Sequence, residues 1–141
     1  MRRRRLLLSP LLLLLPLRTA AAHSYRLGPI EIGHPWSRPS VTGAAAVFVA
    51  FSNTGRATER LLGGRTAIAD AVILRDQDGS PLEYLELLPH RPVALRPGGK
   101  YIGLRDLKGP LALEDSFALT LRFANAGEIA VTVMVEDGPD H

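Results

Sequence analysis

Cysteine is absent from all 141 residues. That excludes disulfide staples, thiolate metal sites, thiol redox chemistry and attachment of a lipid to a cysteine sulfur. Methionine is nearly as scarce: of two, Met1 and Met134, only the second lies outside the N-terminal leader described below. Stability must come from a packed core, and any metal site must be built mostly from nitrogen and oxygen.

A long hydrophobic run is also missing. The apolar stretch from Leu6 to Leu17 is interrupted by prolines and is too short to span a bilayer comfortably. With "MRRRR" before it and the small residues "TAAA" after it, residues 1–22 read as a secretory signal peptide. Ala20 and Ala22 fit an A-x-A cleavage rule, so the cut is expected between Ala22 and His23. The remaining 23–141 is expected to be one exported, periplasmic domain, with no membrane segment after signal removal.

Nor does a basic surplus survive that cut. The signal takes Arg2, Arg3, Arg4, Arg5 and Arg18 out of seventeen basic residues and no acidic one, leaving twelve against fourteen, a net charge of −2. No basic run remains to argue for nucleic acid as a partner. Catalytic motifs are missing as well. Ser37, Ser40, Ser52, Ser80 and Ser116 lie in no G-x-S-x-G context, and neither H-E-x-x-H nor P-loop spacing occurs. Asp76, Asp78, Glu83 and Glu86 cluster around one expected hairpin, where such carboxylates ordinarily form a solvated rim. The chain does not read as an enzyme.

What is present is β-structure. Short apolar runs alternate with turn signals from Ile30 onward, with no convincing stretch of apolar residues at helical spacing. In "PIEIGHPW", Ile30 and Ile32 alternate before Pro35 and Pro39, which are expected to stop regular pairing. "AAAVFVAFSNTG" reads as a central strand covered on both faces. Asp78-Gly79 is expected to join "DAVILRDQDG" and "PLEYLELL" in a hairpin. In "SFALTLRFANAGEIAVTVMVED", Phe117, Leu119, Leu121 and Phe123 share one face, as do Ile129, Val131, Val133 and Val135 after the Asn125-Gly127 turn, which makes a hairpin buried on one side. About eight strands at this spacing predict an antiparallel Greek-key β-sandwich or barrel.

The four histidines, His23, His34, His90 and His141, lack any close metal spacing, so a site must be assembled by the fold. His90 in "LPHRP" and the terminal His141 are expected to face solvent. His34 reads first as a packed or hydrogen-bonded strand residue and second as a ligand. His23 differs if it is the first residue after cleavage: its free amine and ring Nδ1 form a chelating pair suited to Cu(II), which a second imidazole would complete. The alternative is that a cleavage site merely happens to precede it.

The run "IEIGHPWSRPSVTGAAAVFVAFSNTG" resembles the opening of the periplasmic copper chaperones called PCu(A)C. "ADAVILRDQDG" and "LRPGGKYIGLRDLKGPLALEDSFALTLRFANAGEIAVTVMV" resemble that family's later strands, Pro-Gly-Gly segment and closing hairpin. The resemblance implies a cupredoxin-like all-β fold and copper, or a copper-accepting protein, as partner. The family's two histidines and two methionines are not carried over: the first histidine falls at Arg75, the H-x-M pair at Tyr101 and Gly103, and the other methionine near Leu82 or Tyr84. Arg75 would repel a metal ion. Met134 replaces neither the number nor the position of those ligands.

Two functions follow. The chain is either an exported copper-binding or copper-trafficking protein with a relocated site, His23 as anchor and His34 as second ligand, or a metal-free module that binds a protein partner of a copper or respiratory-assembly pathway. The replacements Arg75 and Tyr101, residue types frequent at binding hot spots, motivate the second.

Overall fold

The computed structural model describes residues 24–138. The expected signal peptide, His23 and His141 lie outside the described residues. Ten strands follow in order: β1 (Tyr25–Leu27), β2 (Ile30–Ser37), β3 (Ala44–Asn53), β4 (Glu59–Arg65), β5 (Ala69–Arg75), β6 (Leu85–Leu87), β7 (Val93–Ala94), β8 (Tyr101–Leu107), β9 (Ser116–Phe123) and β10 (Gly127–Val135). The described residues contain no helix.

The strands form one curved sheet in the order β5-β8-β3-β2-β10-β9-β4-β6, with β1 beside β2 and β7 beside β3. It rolls up until β4 and β5 touch, giving a nearly closed barrel. Alternation explains the interior. Phe117, Leu119, Leu121 and Phe123 of β9 and Val131, Val133 and Val135 of β10 are buried, and the two arms pair without a break from Phe117–Val133 to Phe123–Gly127. Val47, Val49 and Phe51 of β3 point inward to meet them, with Phe51 edge-on to Phe123 at 6.0 Å between ring centroids. Each fully buried side chain of this kind stabilises the fold by roughly 1.5–3 kcal/mol.

β3 is covered on both faces over part of its length. Phe48 points outward yet is buried, because Trp36 of β2 packs on it at 4.9 Å between ring centroids. The buried Glu59 carboxylate closes the β9–β10 turn, accepting hydrogen bonds from the backbone N–H groups of Asn125 and Ala126, from Asn125 Nδ2 and from Arg60 N. Asn53 holds its own turn: Nδ2 donates to the carbonyls of Ala57 and Leu87, and Oδ1 accepts from Gly55 N.

Three local expectations are corrected. β2 does not stop at Pro35; a β-bulge between Gly33 and Trp36 absorbs the missing N–H, and pairing with β3 resumes through Ser37. The Asp78-Gly79 turn forms, with Gly79 N donating to Asp76 O, but its return arm pairs only as far as Leu82, whose N–H donates to Leu74 O. β6 then leaves β5 to pair with β4, where Leu85 and Leu87 are buried. Finally, the strand pairs are not all antiparallel: β10 runs parallel to β2, with Met134 opposite Trp36 and Val135 opposite Ser37.

Candidate functional site

The bulge in β2 decides where His34 stands. It lies between Gly33, opposite Ala50, and Trp36, opposite Phe48. The side chain is 40% exposed, and its Nε2 lies 2.8 Å from Oε2 of Glu136, just past the end of β10. An ionised carboxylate only accepts, so in the neutral ring Nε2 carries the proton and Nδ1 keeps its lone pair. The parallel pairing of β10 with β2 makes this contact possible, and Glu136 N is itself fixed by donating to Ser37 O at 2.8 Å.

β1 approaches the same place from the other direction. It pairs antiparallel with β2, Tyr25 opposite Ile32 and Leu27 opposite Ile30, after a tight turn whose Gly28 adopts a φ of 56°. Thr132 N of β10 donates to Tyr25 Oη at 2.8 Å, tying β1 to β10 as well. A groove of about 530 Å³ opens over β1, β2 and β3, lined by Ser24 and Tyr25, by Gly33 and Ala50, and by Pro92, and His34 does not line it. Trp36, the sole tryptophan, stands two residues from His34, with the Arg38 guanidinium 5.8 Å from its ring centroid.

Arg75, Tyr101 and Gly103 also come together, at the end of the β5–β8 ladder. Arg75 is opposite Tyr101 and Ile73 opposite Gly103. The Arg75 side chain lies over Gly103, where an added Cβ would sit 3.1 Å from Nε, and Nη1 donates to Gly79 O at 3.1 Å. A permanent cation fills this position and is held by the turn beside it. Leu82 is tied into the same turn by its backbone, whereas Tyr84 lies apart, its ring 4.3 Å from the Arg60 guanidinium.

The acidic cluster is dispersed over the β5–β6 connection and β6 itself. Asp76 accepts from Gln77 N and lies 3.9 Å from Lys100 Nζ. Asp78 accepts from Ser80 Oγ and Ser80 N, and these bonds hold its carboxyl below the ordinary range. Glu83 and Glu86 are exposed. His90 is exposed too, in a left-handed loop position with a φ of 59°.

Among the described residues no group of three or more His, Cys, Asp or Glu side chains is arranged to hold a metal ion. Within that set His34 has one oxygen partner, so a full coordination sphere there would need a donor from outside it. Sequence reasoning singled out His34 but missed Glu136, which is 102 positions away and comes alongside only through the non-local β2–β10 pairing.

Comparison with known proteins agrees with this architecture. The chain is 28% identical to the "Copper-bound PCuAC domain from PmoF2", covering 82% of this chain and 99% of that one, with a TM-score of 0.76. The "Apo PCuAC domain from PmoF1" is 27% identical over 82% of this chain and 100% of that one, also at 0.76. The copper(I) form of DR1885 from Deinococcus radiodurans, 17% identical with 83% of each chain covered and a TM-score of 0.62, shares the fold. The cupredoxin-like barrel expected from the PCu(A)C resemblance is thus the fold observed. In Leifsonia xyli subsp. xyli (strain CTCB07), the protein named "Putative lipoprotein Lxx21020" is 28% identical over 116 residues, 77% of this chain and 70% of that protein. That name is one of lipoproteins, although these 141 residues offer no cysteine sulfur to a lipid. The family model described as "Putative lipoprotein LpqE-like" matches residues 30–135, from the first core residue of β2 to the last of β10, and the chain belongs to the LpqE-like family.

Proposed function

We propose that this protein is an exported copper-binding or copper-trafficking protein, not an enzyme, whose metal site has moved from the end of β5 and β8 to the start of the mature chain. The anchor is His23, released as the first residue by cleavage after Ala22, with His34 as second ligand. The relatives described as PCuAC domains, one of them copper-bound, support the metal. The Arg75 guanidinium beside Gly103 argues against the inherited position.

The observation that carries the reading is the register of β1 on β2. Tyr25 is opposite Ile32. β1 runs antiparallel to β2, so the chain leading into Tyr25 enters from the side of the ladder on which His34 follows Ile32. An N-terminal amine, its own imidazole and a second imidazole make a nitrogen donor set suited to Cu(II). Because Trp36 is the sole tryptophan and stands two residues from His34, added Cu(II) is expected to quench the protein's tryptophan emission. In a competition titration, His23→Ala and His34→Ala should each abolish both quenching and binding. Affinity no better than the competitor's, or unchanged in His23→Ala, would overturn the reading.

A second reading keeps the barrel and drops the metal, with Arg75 and Tyr101 as contacts for a protein partner. The filled Arg75 position favours it. A periplasmic partner retained by the wild type and lost when both residues become alanine would support it; retention by that variant would end it.

A further inference from the structure

We propose that Arg75 and Tyr101 form a carboxylate-binding site on the outer face of the β5–β8 ladder, taking either a small free carboxylate or an aspartate or glutamate side chain of a partner protein. Neither copper nor the start of the mature chain enters into it. Among the described residues Arg75 is the one arginine that is not exposed. Other arginines meet carboxylates or rings: Arg26 reaches Glu31, Arg65 reaches Glu128, and Arg60 lies over Tyr84. Arg75 has neither kind of partner. Its Nη1 donates to the neutral Gly79 carbonyl at 3.1 Å, and no carboxylate among the described residues comes within ion-pair distance of it. A half-buried guanidinium without a counterion has given up water and recovered only part of that cost. An incoming carboxylate supplies the rest.

The surroundings are arranged for such a ligand. Gly79 adopts a φ of 89°, a conformation that favours glycine, and its carbonyl holds the guanidinium from the turn. Gly103 omits a Cβ that would sit 3.1 Å from Nε, which lets the side chain lie over β8. Tyr101 is directly opposite Arg75, and its Oη reaches the same turn, 3.7 Å from where a Gly79 Cβ would be. Guanidinium N–H donors beside a phenol O–H match the paired oxygens of a carboxylate. Charge decides against phosphate. Asp76 and Asp78 belong to the turn that holds Arg75, and both are engaged locally, Asp76 with Gln77 N and, at 3.9 Å, Lys100 Nζ, and Asp78 with Ser80. They leave Arg75 unpaired, yet they oppose a doubly charged ligand more than a singly charged one.

The test is a titration of the exported protein at constant ionic strength, without metal, followed by proton–nitrogen NMR. The probes are acetate, inorganic phosphate, a short glutamate-rich peptide and its glutamine counterpart. Acetate and the glutamate peptide should each give saturable shifts centred on Arg75 Nε–H and the amides of Gly79 and Tyr101. Arg75→Lys keeps the charge but loses the planar fork, and should weaken binding by about tenfold or more. Tyr101→Phe removes one hydroxyl and should weaken it by about 3–10-fold, which keeps the test decisive if Arg75→Lys disturbs the turn. Unchanged amide shifts elsewhere show that the barrel is intact. Tighter binding of the glutamate peptide than of acetate assigns the site to a partner chain; equal binding assigns it to small carboxylates, and both support the site. Absence of saturable shifts overturns the proposal. So does phosphate or the glutamine peptide binding as tightly as the carboxylates, or undiminished affinity in Tyr101→Phe. None of these outcomes bears on copper, so failure here and failure of the copper reading are distinguishable.

Discussion

At the scale of single residues, two positions are constrained more tightly than their sequence neighbourhoods suggest. Glu59 is 4% exposed and satisfies the backbone donors of a turn 66 residues away. Glu59→Ala would leave the N–H groups of Asn125 and Ala126 without their acceptor, and is expected to cost about 2–3 kcal/mol in urea unfolding, with Glu59→Gln costing less. Gly64 lies so close to β9 that a Cβ would sit 2.2 Å from Thr120 O, a clash with backbone that no rotamer relieves. Gly64→Ala should therefore destabilise by about 1–3 kcal/mol, measured the same way. The exposed Arg65–Glu128 pair is the opposite case. Its hydrogen bond holds the Glu128 carboxyl below the ordinary range, so its contribution is present at neutral pH and lost as the pH falls through that range. Both groups are solvated, and Arg65→Ala should leave the thermal midpoint near the wild-type value. Nothing in the sequence around Glu59 marks it as buried, because its partners belong to another hairpin.

Among the elements, legibility followed locality. The β9–β10 hairpin was readable because both arms alternate strictly against one core and the turn lies between them. Truncating its centre, Leu119→Ala, should cost about 2–5 kcal/mol, since Leu119 is fully enclosed. The β5–β6 connection was misread for an instructive reason. Asp78-Gly79 is a true turn signal, but a turn determines only the residues beside it. Where the chain goes after Leu82 is decided by the burial of Leu85 and Leu87 against β4, which no local pattern encodes. The continuation of β2 beyond Pro35 depended likewise on a bulge, and the parallel β2–β10 pair joins the two ends of the domain and leaves no periodicity to read. The candidate site divides along the same line. "GHPW" drew attention to His34 in the sequence, whereas Glu136 and the Tyr25–Thr132 tie became visible only once β10 was beside β1 and β2.

For the whole molecule, the barrel serves two places differently. One end of the β5–β8 ladder carries Arg75 over Gly103, closed to a cation. The other place, where β1, β2 and β10 converge, is half open, and there a partly exposed His34 pairs with Glu136. On the proposed reading the scaffold exchanges one metal position for another without refolding, because the sheet fixes backbones and leaves outward side chains to vary. The measurement that tests this account most directly is electron paramagnetic resonance of the Cu(II)-loaded chain beginning at His23, compared with the same chain bearing one extra residue before it. The account predicts a nitrogen-rich signal for the first and its loss in the second, where the amine is displaced from the ring. An identical signal from both chains would contradict it.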